Sequence, residues 1–202
     1  MALYELAFPK QIRRSRVREA IAAADAVFCD ANLPTAALER LVALAAGKPV
    51  FAIAISPAKV VRLIPVLKKL SLVFMNRREA MVLAGVAANA REREVVDGLR
   101  CSGLVSGVVT AGEAPVLGFD ETGAFSIMPP NPRKVTDVTG AGDALAGATV
   151  AALLRGLPLR VALREGIAAA TLAIESANAV PEFTASSFAE ALALVPDARE
   201  VA

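Results

Sequence analysis

Short apolar runs at residues 26–29, 49–55, 72–75 and 107–110 alternate with stretches of helical character, and this rhythm restricts the fold more than any other feature of the chain. Runs without polar alternation fit strands buried on both faces, the habit of a parallel sheet. The stretches between them are long enough for helical crossovers, which places helices on both faces of that sheet. Pro34 and Pro57 fall at expected first-turn positions, with Ser56 ahead of the second as a cap.

Beyond Thr110 the pattern changes. Residues 116–119 and 124–128 read as two short strands joined by Asp120-Glu121-Thr122-Gly123, a hairpin at the sheet margin. Pro129-Pro130-Asn131-Pro132 forbids regular structure and is expected to cross the surface as a loop. From Ala141 a helix is expected to run to about Arg155, break at Gly156-Leu157-Pro158, and resume as an alanine-rich helix to about Glu175. With 202 residues, 55% of them hydrophobic, and no internal repeat or linker, residues 1–202 are expected to form one α/β domain.

Composition narrows the chemistry. A net charge of +2 from 22 basic and 20 acidic residues offers no electrostatic case for nucleic acid or an anionic membrane. Tryptophan is absent and there is one tyrosine, so the stacking platforms needed for single strands are missing as well. With no histidine, acid and base work falls to carboxylates. Cys29 and Cys101 form no CxxC and are expected to be buried apolar residues. The opening ten residues lack the basic-then-apolar order of a signal peptide, and no long uncharged apolar run exists, so a cytoplasmic protein is expected. The basic residues Arg62, Lys68, Lys69, Arg77 and Arg78 read as solvated charge on helix faces.

The most informative segment is Asp137-Val138-Thr139-Gly140-Ala141-Gly142-Asp143-Ala144-Leu145-Ala146-Gly147, a small-residue loop that runs into a helix. Glycines admit a close ligand, and the unpaired amides of a first helical turn suit a phosphate. An acid at Asp143 is awkward beside an anion unless it has its own task. Acceptance of a proton from a substrate hydroxyl, with the amides of Gly140, Ala141 and Gly142 steadying the transferred phosphoryl group, makes both features parts of one reaction. The plainer alternative is an Asp-capped helix. Two other nucleotide motifs fail here, since GxxxxGK[ST] occurs nowhere and GxGxxG would need Gly or Ala at Leu145.

This segment resembles the C-terminal signature of the ribokinase (PfkB) family, Asp-Thr-Thr-Gly-Ala-Gly-Asp, with Val138 the one departure in the loop. The resemblance implies a three-layer αβα fold with a largely parallel sheet, ATP as co-substrate, Asp143 as base, and the Gly140, Ala141 and Gly142 backbone as anion hole. Asn76-Arg77-Arg78-Glu79 resembles the family's Asn-x-x-Glu motif, which implies a role for Asn76 at the nucleotide and for Glu79 in holding magnesium through water. The same pair also fits a helix capping box. Thr110 and Gly112 resemble the strand and turn that face the nucleotide, and residues 176–180, with Asn178, stand where the family has a loop near adenine. Asp137 and Thr139 match positions that hold a potassium-like ion in many members. Gly112 is followed by Glu113-Ala114-Pro115 where the family commonly has a second glycine.

Asp30-Ala31-Asn32, Ile55-Ser56-Pro57-Ala58-Lys59, and Glu175-Ser176 followed by Val180-Pro181 resemble the pseudouridine kinases of this family most closely. The implied substrate is a small sugar or nucleoside. Family members also carry an N-terminal portion with the first strands, a Gly-Gly pair near the sugar and a β lid. No Gly-Gly occurs here, and the opening resembles the middle of the fold, so an N-terminally truncated kinase is expected. Such a chain would work with a complementary N-terminal chain, associate with itself, or persist as an inactive nucleotide-binding remnant.

Overall fold

The computed structural model of the chain describes residues 14–178 and 180–201. The opening ten residues, read above for a signal peptide and as the start of the truncated fold, lie outside the described residues in full, as does Ala179 within the 176–180 segment. Two compact units divide between Val109 and Thr110.

The first unit contains strands β1 (Val27–Asp30), β2 (Val50–Ile53), β3 (Leu72–Asn76) and all but the last residue of β4 (Gly107–Thr110), adjacent in that order. β1 pairs with β2 and β2 with β3 in parallel, with Val27 opposite Val50 and Phe51 opposite Leu72. Helix α1 (Ser15–Ala23) precedes β1 and α2 (Thr35–Leu44) joins β1 to β2. A short α3 (Pro57–Val60) runs into a 3-10 segment (Val61–Lys69) before β3, and α4 (Arg77–Ala84) and α5 (Glu92–Cys101) lie between β3 and β4. The apolar runs became strands because both faces are covered: Val50, Phe51 and Ala52 of β2 and Leu72 through Met75 of β3 are all buried.

Three details differ from expectation. Pro34 takes the cap position of α2 and not its first turn, whereas Pro57 does open α3. Ser56 holds the cap position of α3 but its side chain makes no capping bond. The residue before it is the cause of an unusual entry. Ile55 has φ +71, the one non-glycine residue with positive φ among those described, and the Ser56 amide donates back to the Ala54 carbonyl at 2.9 Å. That is a γ-turn, a strained shape for a β-branched residue. Thirdly, Cys29 is buried as expected but Cys101, at the end of α5, is exposed.

The second unit begins with the hairpin. β5 (Val116–Asp120) and β6 (Gly123–Ile127) pair antiparallel, and β7 (Arg199–Glu200) adds to β6 in the same sense, so strand pairing in the chain is mixed. The Asp120 carboxylate fixes the turn by accepting from the Thr122 amide at 2.8 Å. Helices α6 (Ala141–Leu154) and α7 (Leu159–Glu175) follow, then α8 (Ala185–Leu194). Their break lies where the sequence puts it: Gly156 has φ +84, and the Leu157 amide reaches the Ala152 carbonyl at 3.2 Å. Phe119, Phe125, Ile127, Leu163 and Ile167 fill the core of this unit.

Candidate functional site

The glycine-rich loop enters α6 through a backbone shape that a side chain would oppose. Gly140 is the cap residue, with φ +81 and ψ −6, and it has no side chain to cap the helix. The Ala141 amide reaches Val138 at 3.3 Å, and the first helical bond proper runs from the Ala144 amide to the Gly140 carbonyl at 2.9 Å. The amides of Gly142 and Asp143 therefore belong to the open first turn, where a helix has donors without helical acceptors. Asp143 is exposed and stands three residues inside the helix. An Asp-capped helix is thus not the geometry here, because the cap position belongs to Gly140.

Ahead of the helix, Asp137 accepts from the Thr139 amide at 2.8 Å, which holds its carboxyl below the usual carboxylate range. Both residues are exposed. Thr110, Gly112, Ala141 and Gly142 come together around one cavity of about 610 Å³. Gly112 has φ +65 in a turn closed by the Ala114 amide on the Ala111 carbonyl at 3.2 Å. The cavity walls are chiefly apolar. Pro129, Pro130, Pro132, Val135 and Val138 form one side, and Ile167, Ala170, Thr171 and Ile174 of α7 form another. From sequence the proline segment is expected to be a surface crossing and Val138 a departure from the signature, with neither in the site; the structure places both in the cavity wall.

Asp143 does not line this cavity, although Ala141, Gly142 and Leu145 do. At about 100° per residue, those three fall in one sector of the helix and Asp143 points about 160° round from Leu145. The carboxylate and the cavity therefore flank the open first turn from different sides. Asn178 is exposed, donates its amide to the Ser176 hydroxyl at 3.0 Å, and is not among the cavity residues.

Asn76 and Glu79 lie in the first unit, at the start of α4. They form a full capping box: Asn76 Oδ1 accepts from the Glu79 amide at 3.0 Å, and Glu79 Oε2 accepts from the Asn76 amide at 2.7 Å. Glu79 Oε1 also accepts from Asn76 Nδ2 at 2.8 Å. Glu79 is buried, and burial pushes its carboxyl up against the lowering effect of these bonds. Each of its oxygens keeps one acceptor direction free, which suits contact with a metal through water better than direct ligation. Among the described residues no three Cys, Asp or Glu side chains gather in a way that could hold a metal ion. Nor is any helix among them long and apolar enough to cross a membrane.

Known structures share this fold. A carbohydrate kinase from Agrobacterium tumefaciens is 42% identical, with a TM-score of 0.83 over 99% of this chain and 64% of that one. Arabidopsis thaliana ribokinase, solved with ribose and ATP, is 20% identical with a TM-score of 0.75 over 89% of this chain and 59% of that one. These likenesses define a ribokinase-like three-layer α/β fold. Pseudouridine kinase of Escherichia coli K12 is 30% identical over 164 residues, 79% of this chain and 52% of the enzyme. The chain thus spans about half the length of that curated relative. The family model for pfkB carbohydrate kinases matches residues 7–184, and the chain belongs to that family.

Proposed function

We propose that this chain carries the nucleotide-binding and phosphoryl-transfer portion of an ATP-dependent kinase that acts on a hydroxyl of a sugar or nucleoside, with pseudouridine the preferred substrate. The observation that carries the proposal is the placement of Asp143 and the apolar cavity on different sides of one open helix terminus.

The cavity suits a nucleotide base and sugar, because its apolar walls match flat aromatic surface, and Ala141 and Gly142 of the Gly140–Gly142 anion loop line it, with the Gly142 amide in the open first turn for phosphates. Asp143, on the other side of the turn, meets the acceptor substrate and takes the proton of its attacking hydroxyl. The amides stabilise charge on the phosphoryl group as it passes between the two. Magnesium bound with the nucleotide would offset phosphate charge, and Glu79 is the residue that the family resemblance implies for holding it through water. The fit for a monovalent cation at Asp137 and Thr139 is poor, since both are exposed and bonded to each other, and no step is derived through one.

A second reading is favoured by the length relationship: relatives that share the fold extend well beyond the region matched here. In that case the chain binds nucleotide and needs further polypeptide for the acceptor substrate. One experiment separates the two. ATP consumption with magnesium is measured across pseudouridine, ribose and a nucleoside panel, beside Asp143→Asn and with nucleotide affinity measured directly. Turnover that falls about 100-fold or more in the variant, with affinity kept, supports the kinase reading. ATP affinity without turnover in either protein supports the second, and no affinity for ATP in the parent chain sinks both.

A further inference from the structure

The proline-rich wall of the cavity is tied down from behind by the last turn of α7. The Thr136 amide donates to the Ile174 carbonyl at 2.9 Å and the Asp137 amide to the same oxygen at 3.3 Å. The Thr136 hydroxyl donates to the Glu175 carbonyl at 3.2 Å. One residue past the last wall proline, the tie becomes ionic. Glu175 Oε1 accepts from the Arg133 amide at 2.6 Å, and Oε2 pairs with Arg133 Nε at 3.4 Å. The Glu175 side chain is only 14% exposed, so the carboxylate is committed to this contact and not to solvent.

A carboxylate at this position needs a reason. Glu175 is the final residue of α7, where the helix dipole is negative and an acid is disfavoured. The carbonyls of the same turn are the ones left without helical donors, and here Ile174 and Glu175 receive theirs from the loop. The loop thus satisfies the helix end while the carboxylate grips the loop. Pro132, Val135 and Val138, spaced along the gripped segment, face the cavity, and Ile174 faces it from the helix. Val135 and Val138 are 65% and 67% exposed, so this wall has little packing of its own to keep it in place.

We infer that Glu175 is a positioning residue for nucleotide: by holding the segment 133–137 against the end of α7, it keeps the cavity wall closed to the shape of the base. The inference rests on the proposed reading of the cavity as a nucleotide site. Preorganisation of this kind acts on affinity, because a wall free to move must be ordered when ligand binds. It also acts on the entry to the helix, since Asp137 follows Thr136 directly and Gly140 is three residues further on.

The test is direct binding of ATP with magnesium to the parent chain, Glu175→Ala and Glu175→Gln, together with amide hydrogen exchange over residues 129–138 and a thermal melt without nucleotide. Glu175→Ala is expected to bind about tenfold more weakly, with faster exchange in that segment and an unchanged melt. Glu175→Gln keeps an acceptor for the Arg133 amide but loses the ion pair, and is expected to fall between the two. Binding of ATP to Glu175→Ala within twofold of the parent overturns the inference while leaving the nucleotide site intact. If Glu175→Ala does not fold, Glu175→Gln decides: affinity equal to the parent overturns the inference, and a loss of two- to fivefold with faster exchange supports it. Failure of the parent chain to bind ATP is a separate result, which removes the cavity reading on which the inference stands.

Discussion

Gly166 of α7 passes so close to α6 that a methyl group added there would overlap the Thr149 hydroxyl and stand 2.7 Å from the Leu145 carbonyl oxygen. Thr149 is fully buried, and its hydroxyl donates to that same carbonyl at 2.7 Å. One of the two obstacles is helix backbone and cannot turn aside. The contact sets the distance between the helix that begins at the anion loop and the helix that walls the cavity.

Gly166→Ala tests whether this approach is required. Alanine is the better helix former by about 1 kcal/mol, which alone would stabilise α7. Overpacking costs about 1–3 kcal/mol and should win, because Leu145 and Thr149 must both shift. A net loss of stability in urea unfolding, with weaker ATP binding, is expected. Stability equal to or above the parent would show that α6 and α7 can part without penalty.

The capping box of α4 gives a second prediction, with a pH signature. Asn76→Ala removes the acceptor for the Glu79 amide and should cost about 1 kcal/mol, while Asn76→Ser restores an acceptor and most of the stability. The Asn76 bonds favour the ionised form of Glu79 and oppose the effect of burial. Asn76→Ala removes the Nδ2 donor and keeps the backbone one, so the folded-state carboxyl rises further above its unfolded value near about 4.3. A raised carboxyl contributes stability below the unfolded value and loses it as pH rises through the folded value. The deficit of Asn76→Ala relative to the parent should therefore widen as pH climbs upward from about 4, measured without magnesium. A deficit independent of pH would leave only the cap.

Much of the framework is legible in the sequence because it depends on local signals. The strand at 107–110 and the helix break at Gly156-Leu157-Pro158 follow from apolar runs and from residues that cannot continue a helix. The anion loop is legible for the same reason, as glycines next to a helix start have few other uses. The cavity wall is not. Pro129, Pro130 and Pro132 announce irregular backbone but not the direction it takes, and that direction is set by carbonyls of Ile174 and Glu175 about forty residues later. Cys101 escapes prediction in a similar way: a small residue at the end of α5 reads as core until the helix register places it outside.

Filling the cavity should displace its ligand. Ala170 faces the space from α7, opposite the proline wall, and a phenylalanine there would occupy the position assigned to the nucleotide base. Ala170→Phe is expected to weaken ATP binding about tenfold or more, a loss of about 1.4 kcal/mol. Stability should hold or increase, since an apolar ring enters an apolar void. Isothermal titration and thermal melting report the two quantities separately. Unchanged ATP affinity would place the nucleotide elsewhere.

The two cysteines should differ sharply in reactivity. Cys29 lies buried on β1 with its thiol near the Phe51 carbonyl at 3.5 Å, and burial, with the neighbouring Asp30 charge, pushes the thiol up to about 12. At pH 8 only about one molecule in ten thousand then carries the reactive thiolate, and the sulfur is covered besides. Cys101 is exposed. A thiol reagent should label one cysteine per folded chain within minutes and the second only on unfolding, with mass spectrometry assigning the site. Because β1 must open before Cys29 can react, its labelling rate measures the local opening of that strand. Equal labelling of both cysteines in the folded protein would show β1 to be open in solution, and the packing described for Cys29 would not hold.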